Sequence, residues 1–313
     1  MGLTDGSDMP NVPLLCGALA ATLAVNLALL VAIGRLHPSR AQLRVPVGTA
    51  LGALISIAVG LMVLGVRCHW PPSEDQDRLL LILVPLALLA DVVAGATLLR
   101  WPGLLLRALV CAACGPVMLW GSIHVSDAAG PGSRLLSVPT ILLLGAVATA
   151  LVASAWRLML HAQEPLPRPA IGLALAMTLG AASAATLLSG YASAALTGMI
   201  LTTAIAGTAV GAALIPGDDV RPPLGLPLAA LAGVLLQGRF FGELNSLYAI
   251  SLWITPLLAT AIVLIAARGR RPWGKCAVLW LLVAAACATV VLLTYREFAK
   301  DAVEDYYTVV ISR

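Results

Sequence analysis

Asp91 and Arg107 form the clearest acid–base pair in the sequence, because each interrupts a long apolar run. The two runs, 79–99 and 102–121, are joined by a short segment, so they are predicted to form an antiparallel helical hairpin. Asp91 would then lie roughly 13 Å and Arg107 roughly 8 Å into a membrane. An isolated carboxylate at that depth costs about 2.5–3.5 kcal/mol, so it requires a partner, a proton or water.

Two interpretations of this pair stay open. In the structural one, the charges neutralise each other and fix the register of the two helices, or Arg107 extends to the lipid headgroups. In the functional one, Asp91 and Arg107 contact an ion, a proton or a solute, because ionisable groups inside a membrane are functional candidates by default.

Three cysteines are candidates for redox chemistry. Cys111 and Cys114 have the spacing of a redox dithiol and lie one turn apart on the same face of a helix, and Cys68 precedes His69. A reactive thiol needs a lowered pKa and access, which burial in a membrane opposes. The competing interpretation is that these cysteines are small apolar packing residues. The cysteines lack zinc-site spacing with histidines, so the sequence predicts no metal site and no cofactor.

A polar segment, 237–246, lies between two later apolar runs. Irregular backbone at membrane depth must line a cavity or be buried in protein. Glu243 and Asn245 therefore join Asp91 and Arg107 as candidates for a substrate or ion path. The alternative is an ordinary interfacial loop anchored by aromatic side chains.

The sequence contains no phosphate-binding glycine loop, nucleophile elbow or zinc-protease motif. It therefore offers no catalytic residue, and it favours a protein that is not an enzyme.

Composition predicts an all-α polytopic integral membrane protein. Of the 313 residues, 60% are hydrophobic and 11% are charged, whereas a soluble domain carries about 25% charged residues. Long apolar runs recur along the chain, which excludes a soluble, disordered or fibrous protein. The net charge of +4 comes from arginines between these runs, so the expected partner is the lipid bilayer and not a nucleic acid.

About ten transmembrane helices are expected in a single domain, 13–295, between a short acidic segment, 1–12, and a polar C-terminal tail, 296–313. The eighth run is short, and only Gly190 and Tyr191 separate the sixth from the seventh. The predicted spans are 13–34, 45–66, 79–99, 102–121, 135–158, 169–189, 192–214, 222–237, 245–267 and 274–295.

The basic residues predict the orientation of these spans. With the N-terminus outside, twelve Lys and Arg residues fall on the inner side and seven on the outer side, as the positive-inside rule requires. Both termini are then on the outer, non-cytoplasmic side. The N-terminus lacks the basic region of a signal peptide, and the expected location is a bacterial inner (cytoplasmic) membrane.

Small residues indicate where helices pack closely. Gly48 and Gly52, and again Gly207 and Gly211, have the spacing that permits close backbone approach. Asn26 is expected to form a hydrogen bond between helices. The sixth and seventh spans are rich in Ser and Thr, which could form a polar path or could bond back to their own helix backbone.

Three classes of function stay open. The first, which the sequence favours, is a carrier or permease with an intramembrane Asp/Arg pair. The second is a non-catalytic assembly subunit that binds a protein partner, or a second copy of itself, through small-residue helix faces or the C-terminal tail. The third is a thiol-redox or haem membrane protein.

Overall fold

A computed structural model describes residues 11–35, 41–72, 74–95, 100–119, 138–214, 223–266 and 271–311. These ranges are helical with short connections and contain no strand. The helices are α1 (Val12–Arg35), α2 (Ala41–Val63), α3 (Asp75–Arg78), a π-helical segment (Leu79–Leu83), α4 (Val84–Gly95), α5 (Arg100–Leu119), α6 (Val138–Ala162), α7 (Pro169–Leu188), α8 (Ala192–Leu214), α9 (Gly225–Phe240), α10 (Ser246–Ala266) and α11 (Pro272–Ile311).

Six of the described helices are long and apolar enough to cross a membrane: α1, α6, α7, α8, α10 and α11. Large apolar side chains also point outward, and Met62, Ile265 and Leu281 are 77%, 71% and 70% exposed. Such surfaces are unfavourable in water but natural in lipid. The all-helical prediction is confirmed, and these helices are compatible with an integral membrane protein.

Helix α9 lies at the centre of the bundle. Its side chains from Gly225 to Leu235 are buried, and it packs against α4 to α8 and α10. The helix has 16 residues, or about 24 Å, which is less than the roughly 30 Å of a hydrocarbon core. The sequence predicted a short span, 222–237, at this place. Protein surrounds α9 on most sides, so its ends do not have to reach the headgroups.

Helices α4 and α9 run antiparallel. A Cβ on Gly225 would lie 2.9 Å from the Ala87 carbonyl oxygen, and one on Gly233 would lie 2.5 Å from the Leu79 side chain.

The π-helical segment precedes Pro85, which has no amide to donate. At the end of this segment the Val84 amide donates to the Leu79 carbonyl, five residues back. An α-helix would form this bond with the carbonyl four residues back, so the segment has π-helical hydrogen bonding.

Helices α7 and α8 are separate and form an antiparallel hairpin, as the sequence predicted. The turn includes Gly190 with φ +85°, a left-handed conformation that glycine adopts without strain. Along the hairpin Gly198 lies against Ser183, and Gly180 lies against Thr202.

Close packing joins α1 to α2 and α8. A Cβ on Gly48 would lie 2.7 Å from Ile33, one on Gly207 would lie 3.3 Å from Asn26, and Gly211 lies against Leu30. Asn26 is fully buried, and its Nδ2 donates to the Ala204 carbonyl at 2.7 Å and to Thr208 Oγ1 at 3.1 Å. The predicted close approach at these glycines and the predicted interhelical hydrogen bond are confirmed.

Most hydroxyls of α7 and α8 bond back to their own helix, which confirms the packing interpretation of those residues. Thr178, Ser183, Thr202, Thr203 and Thr208 each donate to the carbonyl four residues earlier. Thr186 and Thr197 differ, because their buried hydroxyls have no hydrogen-bond partner among the described residues.

Most helix bounds lie within four residues of the predicted spans, and the end of α11 departs furthest. Helix α2 begins at Ala41, four residues before the predicted start. Helix α11 has 40 residues and continues through the segment predicted as a separate polar tail, as far as Ile311. This continuation is physically reasonable because residues 296–311 contain no glycine or proline to break the helix.

We expect Gly103→Ala to destabilise the packing of α4 on α5. A Cβ at Gly103 would lie 2.7 Å from the Ala94 Cα, and a backbone atom cannot rotate out of the way. The overpacking should cost about 1–3 kcal/mol, which a thermal melt followed by size-exclusion chromatography in detergent would detect. Gly17→Ala is the matched control, because a Cβ there has no neighbour within 4 Å. Equal melting temperatures for the two variants would contradict this packing.

Candidate functional site

Asp91 binds the first turn of α9 from the neighbouring helix α4. Its Oδ2 accepts a hydrogen bond of 2.6 Å from the Gly225 amide, and the amides of Leu224 and Leu226 also face the carboxylate. The first amides of a helix have no partner within that helix, and they carry partial positive charge. Asp91 therefore caps α9, although Asp91 and Gly225 are 134 positions apart in the sequence.

Arg107, on α5, completes this site with Trp156 of α6. The Arg107 Cζ lies 5.3 Å from the centroid of the Trp156 ring, and Asp91 and Arg107 attract each other electrostatically. The Arg107 Nε is buried without a hydrogen-bond partner in the described part of the chain. Asp91 and Arg107 interact electrostatically but form no ion pair among the described residues, and the hydrogen-bond partner of Asp91 is the start of α9. The role of the pair stays a prediction.

Gly225 allows this close approach, and sequence reasoning missed it. A Cβ at Gly225 would lie 2.7 Å from Trp156 Cη2 and 2.9 Å from Asp91 Oδ2. A larger residue would push the first turn of α9 away from the carboxylate. The only sequence signal was a glycine near the expected start of the eighth span, and it did not indicate which helix would approach.

Glu243 and Asn245 lie at the opposite end of α9, about 22 Å along the helix from Gly225. Both side chains are exposed. Asn245 Oδ1 accepts a hydrogen bond of 3.0 Å from the Leu247 amide, which makes Asn245 the N-cap of α10. The Glu243 amide donates to the Ser189 carbonyl at 3.0 Å. The four residues predicted for one path therefore occupy two separate places, and their role on a path stays a prediction.

The three cysteine candidates are unpaired thiols in different surroundings. Cys111 and Cys114 are buried in the helix packing and Cys68 is exposed in the segment after α2. Partial burial, and then the negative charge of Asp77, raise the pKa of Cys68, which lowers its thiolate fraction and its reactivity. The thiol-redox hypothesis stays a prediction, and these surroundings do not favour it.

A second polar site surrounds α3, which lies between the predicted second and third spans. Its four residues, Asp75 to Arg78, are each at most 8% exposed. The Tyr191 hydroxyl, in the turn between α7 and α8, donates to Asp75 Oδ1 at 2.7 Å. Burial and this contact with Asp75 raise the pKa of Tyr191, so the phenol keeps its proton and remains a donor.

The other charged side chains of α3 contact His69 and helix α5. Asp77 Oδ2 lies 3.6 Å from the Nδ1 of His69, an exposed residue, and Arg78 Nη1 donates to the Met118 carbonyl at a long 3.5 Å. The second oxygen of Asp75 has no hydrogen-bond partner among the described residues. The only sequence feature that could have indicated this buried site is a charged run directly before an apolar run. Such a run is also typical of a loop exposed to solvent.

No protein-family model matches this chain, and a search of curated proteins finds no match. The functional argument therefore depends on the geometry of the two sites.

We expect Cys68 to react slowly with N-ethylmaleimide at pH 8 and faster as the pH rises, because its pKa is raised. Removing the nearby charge in Asp77→Asn should lower that pKa and accelerate labelling at pH 8. Mass spectrometry of the labelled protein in a Cys16→Ala background measures the rate, and the buried thiols should label only after denaturation. Glu74→Gln, at an exposed position, is the control; if it accelerates labelling as much as Asp77→Asn, the assigned cause is wrong.

Proposed function

We propose that this chain is a multi-pass membrane carrier in which Asp91 and Arg107 lie on the path of a proton or small solute. The observation that carries the proposal is the Asp91 carboxylate bound to the first amides of α9 inside the helix bundle. Ionisable side chains at membrane depth are costly to place there, so they are functional candidates. Carriers commonly place their sites where a short helix begins near the middle of the membrane.

The chemistry of the site fits proton-dependent movement. When ionised, Asp91 binds the positive end of α9 and attracts Arg107. When protonated, it no longer offers a negative charge to those amides or to the guanidinium. Protonation would therefore weaken the contact between α4 and α9 and the attraction between Asp91 and Arg107.

We also propose that ten helices cross a bacterial inner membrane with both termini outside. The antiparallel neighbours α4 and α9, and α7 and α8, support this arrangement, because each pair was expected to run in opposite directions. The described helices shorter than a full span, such as α9, are flanked by helices that are long enough to cross a membrane.

We expect Asp91→Asn to abolish proton movement by the reconstituted protein. The amide can still accept the Gly225 hydrogen bond, but it cannot ionise or exchange a proton. The measurement uses proteoliposomes with an entrapped pH-sensitive dye, to which a pH step from 8 to 6 is applied. The wild type should acidify the lumen faster than protein-free liposomes do. In the variant, this excess rate should be lower by a factor of about ten or more.

Glu164→Gln is the matched control, because it removes one carboxylate at an exposed position after α6 and should leave the rate unchanged. Folded yield is measured for both variants by size-exclusion chromatography. If Asp91→Asn loses its folded yield, or folds and retains the full rate, then Asp91 is a structural cap and the carrier proposal is wrong.

A second candidate function is an assembly subunit, and the length of α11 favours it. The helix has 40 residues, or about 60 Å, twice the thickness of a hydrocarbon core. Its polar C-terminal part therefore projects beyond the bilayer. Tyr295 and Phe298, near the start of that part, are 55% and 48% exposed and offer apolar area to a partner protein or a second copy.

If α11 holds a partner, truncation after Lys300 should release it. Native mass spectrometry of the full-length protein, purified in a mild detergent, should show a stoichiometric second polypeptide or a dimer, and the truncated protein should be a single chain. Gly17→Ala, at an open position on α1, should leave the complex intact. A full-length protein that is already a single chain would exclude the assembly proposal.

A further inference from the structure

The C-terminal end of α9 meets a group of buried polar side chains that neither Asp91 nor Arg107 contacts. We call it the Asp75 cluster, and it comprises Asp75, Asp77, Thr186, Tyr191 and Gln237. All except Tyr191 are more than nine-tenths buried, and Tyr191 is partly buried. Four of the five hold polar atoms with no hydrogen-bond partner among the described residues, namely Asp75 Oδ2, Asp77 Oδ2, Thr186 Oγ1 and both amide atoms of Gln237.

Gln237 is the least satisfied member of the Asp75 cluster. It is fully buried, and neither Oε1 nor Nε2 has a partner within the described chain. Gln237 follows Gly233 by one turn on the same face of α9, and Gly233 contacts Leu79. Because α9 runs antiparallel to α3 and α4, one further turn brings the Gln237 side chain level with Asp75.

Two other contacts place Thr186 and Tyr191 at the same level. A Cβ on Gly238, the residue after Gln237, would lie 2.6 Å from Thr186 Oγ1. The Tyr191 amide donates to the Thr186 carbonyl at 3.2 Å, and the Tyr191 hydroxyl donates to Asp75 Oδ1. Asp75, Thr186 and Gln237 therefore lie at the same end of α9, on elements that Tyr191 and Gly238 connect.

The buried charged side chains of α3 are Asp75, Asp77 and Arg78. Their formal charges sum to minus one. His69 approaches Asp77 from an exposed position, and Glu74 is exposed. A buried negative charge with unpaired oxygens is expensive unless a cation, a proton or water compensates it.

We propose that the Asp75 cluster binds a sodium ion. The ligands are Asp75 Oδ2, Gln237 Oε1 and Thr186 Oγ1, which are the oxygen donors that a hard cation prefers. A single positive charge matches the net charge of the buried Asp75, Asp77 and Arg78. The Tyr191 hydroxyl holds Asp75 in place through the other carboxylate oxygen. This proposal does not depend on transport, because the site lies at the opposite end of α9 from Asp91.

The test compares the purified full-length protein in sodium chloride and in choline chloride at equal ionic strength. Thermal melts and binding of radioactive ²²Na⁺, measured by scintillation proximity, are the two readouts. We expect sodium chloride to raise the melting temperature by several degrees, because an ion that binds only the folded state stabilises it. We also expect saturable ²²Na⁺ binding of about one ion per chain.

Two variants assign the ligands. Asp75→Asn should weaken ²²Na⁺ binding by about tenfold or more, because it removes the charged ligand. Gln237→Leu should also abolish the sodium-dependent shift, yet it should raise the melting temperature in choline chloride, because it removes buried polar atoms that lack partners. Glu74→Gln is the matched control, since it removes the same charge one residue away at an exposed position and should retain binding.

Three outcomes would overturn the proposal. The first is that the wild type melts at the same temperature in both salts and binds no ²²Na⁺, which means that water alone fills the site. The second is that Glu74→Gln weakens ²²Na⁺ binding as much as Asp75→Asn. Sodium binding would then depend on the charge of the surface and not on the Asp75 carboxylate. The third is that Gln237→Leu retains full binding. If Asp75→Asn does not fold, the wild-type comparison and Gln237→Leu still decide the question.

Discussion

The buried start of α9 is the constraint on which the rest of the structure depends. The first amides of a helix lack partners, and inside a membrane protein water is not there to supply them. Asp91 provides the missing acceptor from α4, and the amides in turn stabilise a carboxylate that would otherwise be costly at this depth. Gly225 is required because any side chain would separate the two partners. Arg107 and Trp156 then close the site from α5 and α6.

Both ends of α9 hold buried polar groups. At the N-terminal end, the first helix amides bind the Asp91 carboxylate, while Arg107 Nε and Trp156 Nε1 lack hydrogen-bond partners among the described residues. At the C-terminal end, buried atoms of Asp75 and Gln237 lack such partners within the described part of the chain. A folded protein seldom leaves such atoms without a partner, and a cation at this end would supply one for the oxygens. The N-terminal end, where helix amides bind a carboxylate that can be protonated, fits a contact that breaks and re-forms.

Sequence reasoning succeeded where the physical cause is local. Apolar runs long enough to cross a bilayer predicted the helices, and the short connection between 79–99 and 102–121 placed Asp91 near Arg107. It failed where the cause is a contact between distant positions: nothing in the sequence joins Asp91 to Gly225, or Asp75 to Tyr191. Asn245 is an intermediate case, because an Asn directly before an apolar run is a recognised N-cap, yet it was interpreted as a path residue.

Because α9 is a rigid helix packed on most sides, a displacement along its axis would change both ends together. An axial shift that separates the Gly225 amide from Asp91 also moves Gln237 relative to Asp75, since Gly225 and Gln237 belong to one continuous helix. Two sites can influence each other only if both bias the same structural element, and α9 is such an element. A cation at the Asp75 cluster would favour the position of α9 seen here, and protonation of Asp91 would release it. The proposed cation and the proton would therefore act on one helix in opposite directions.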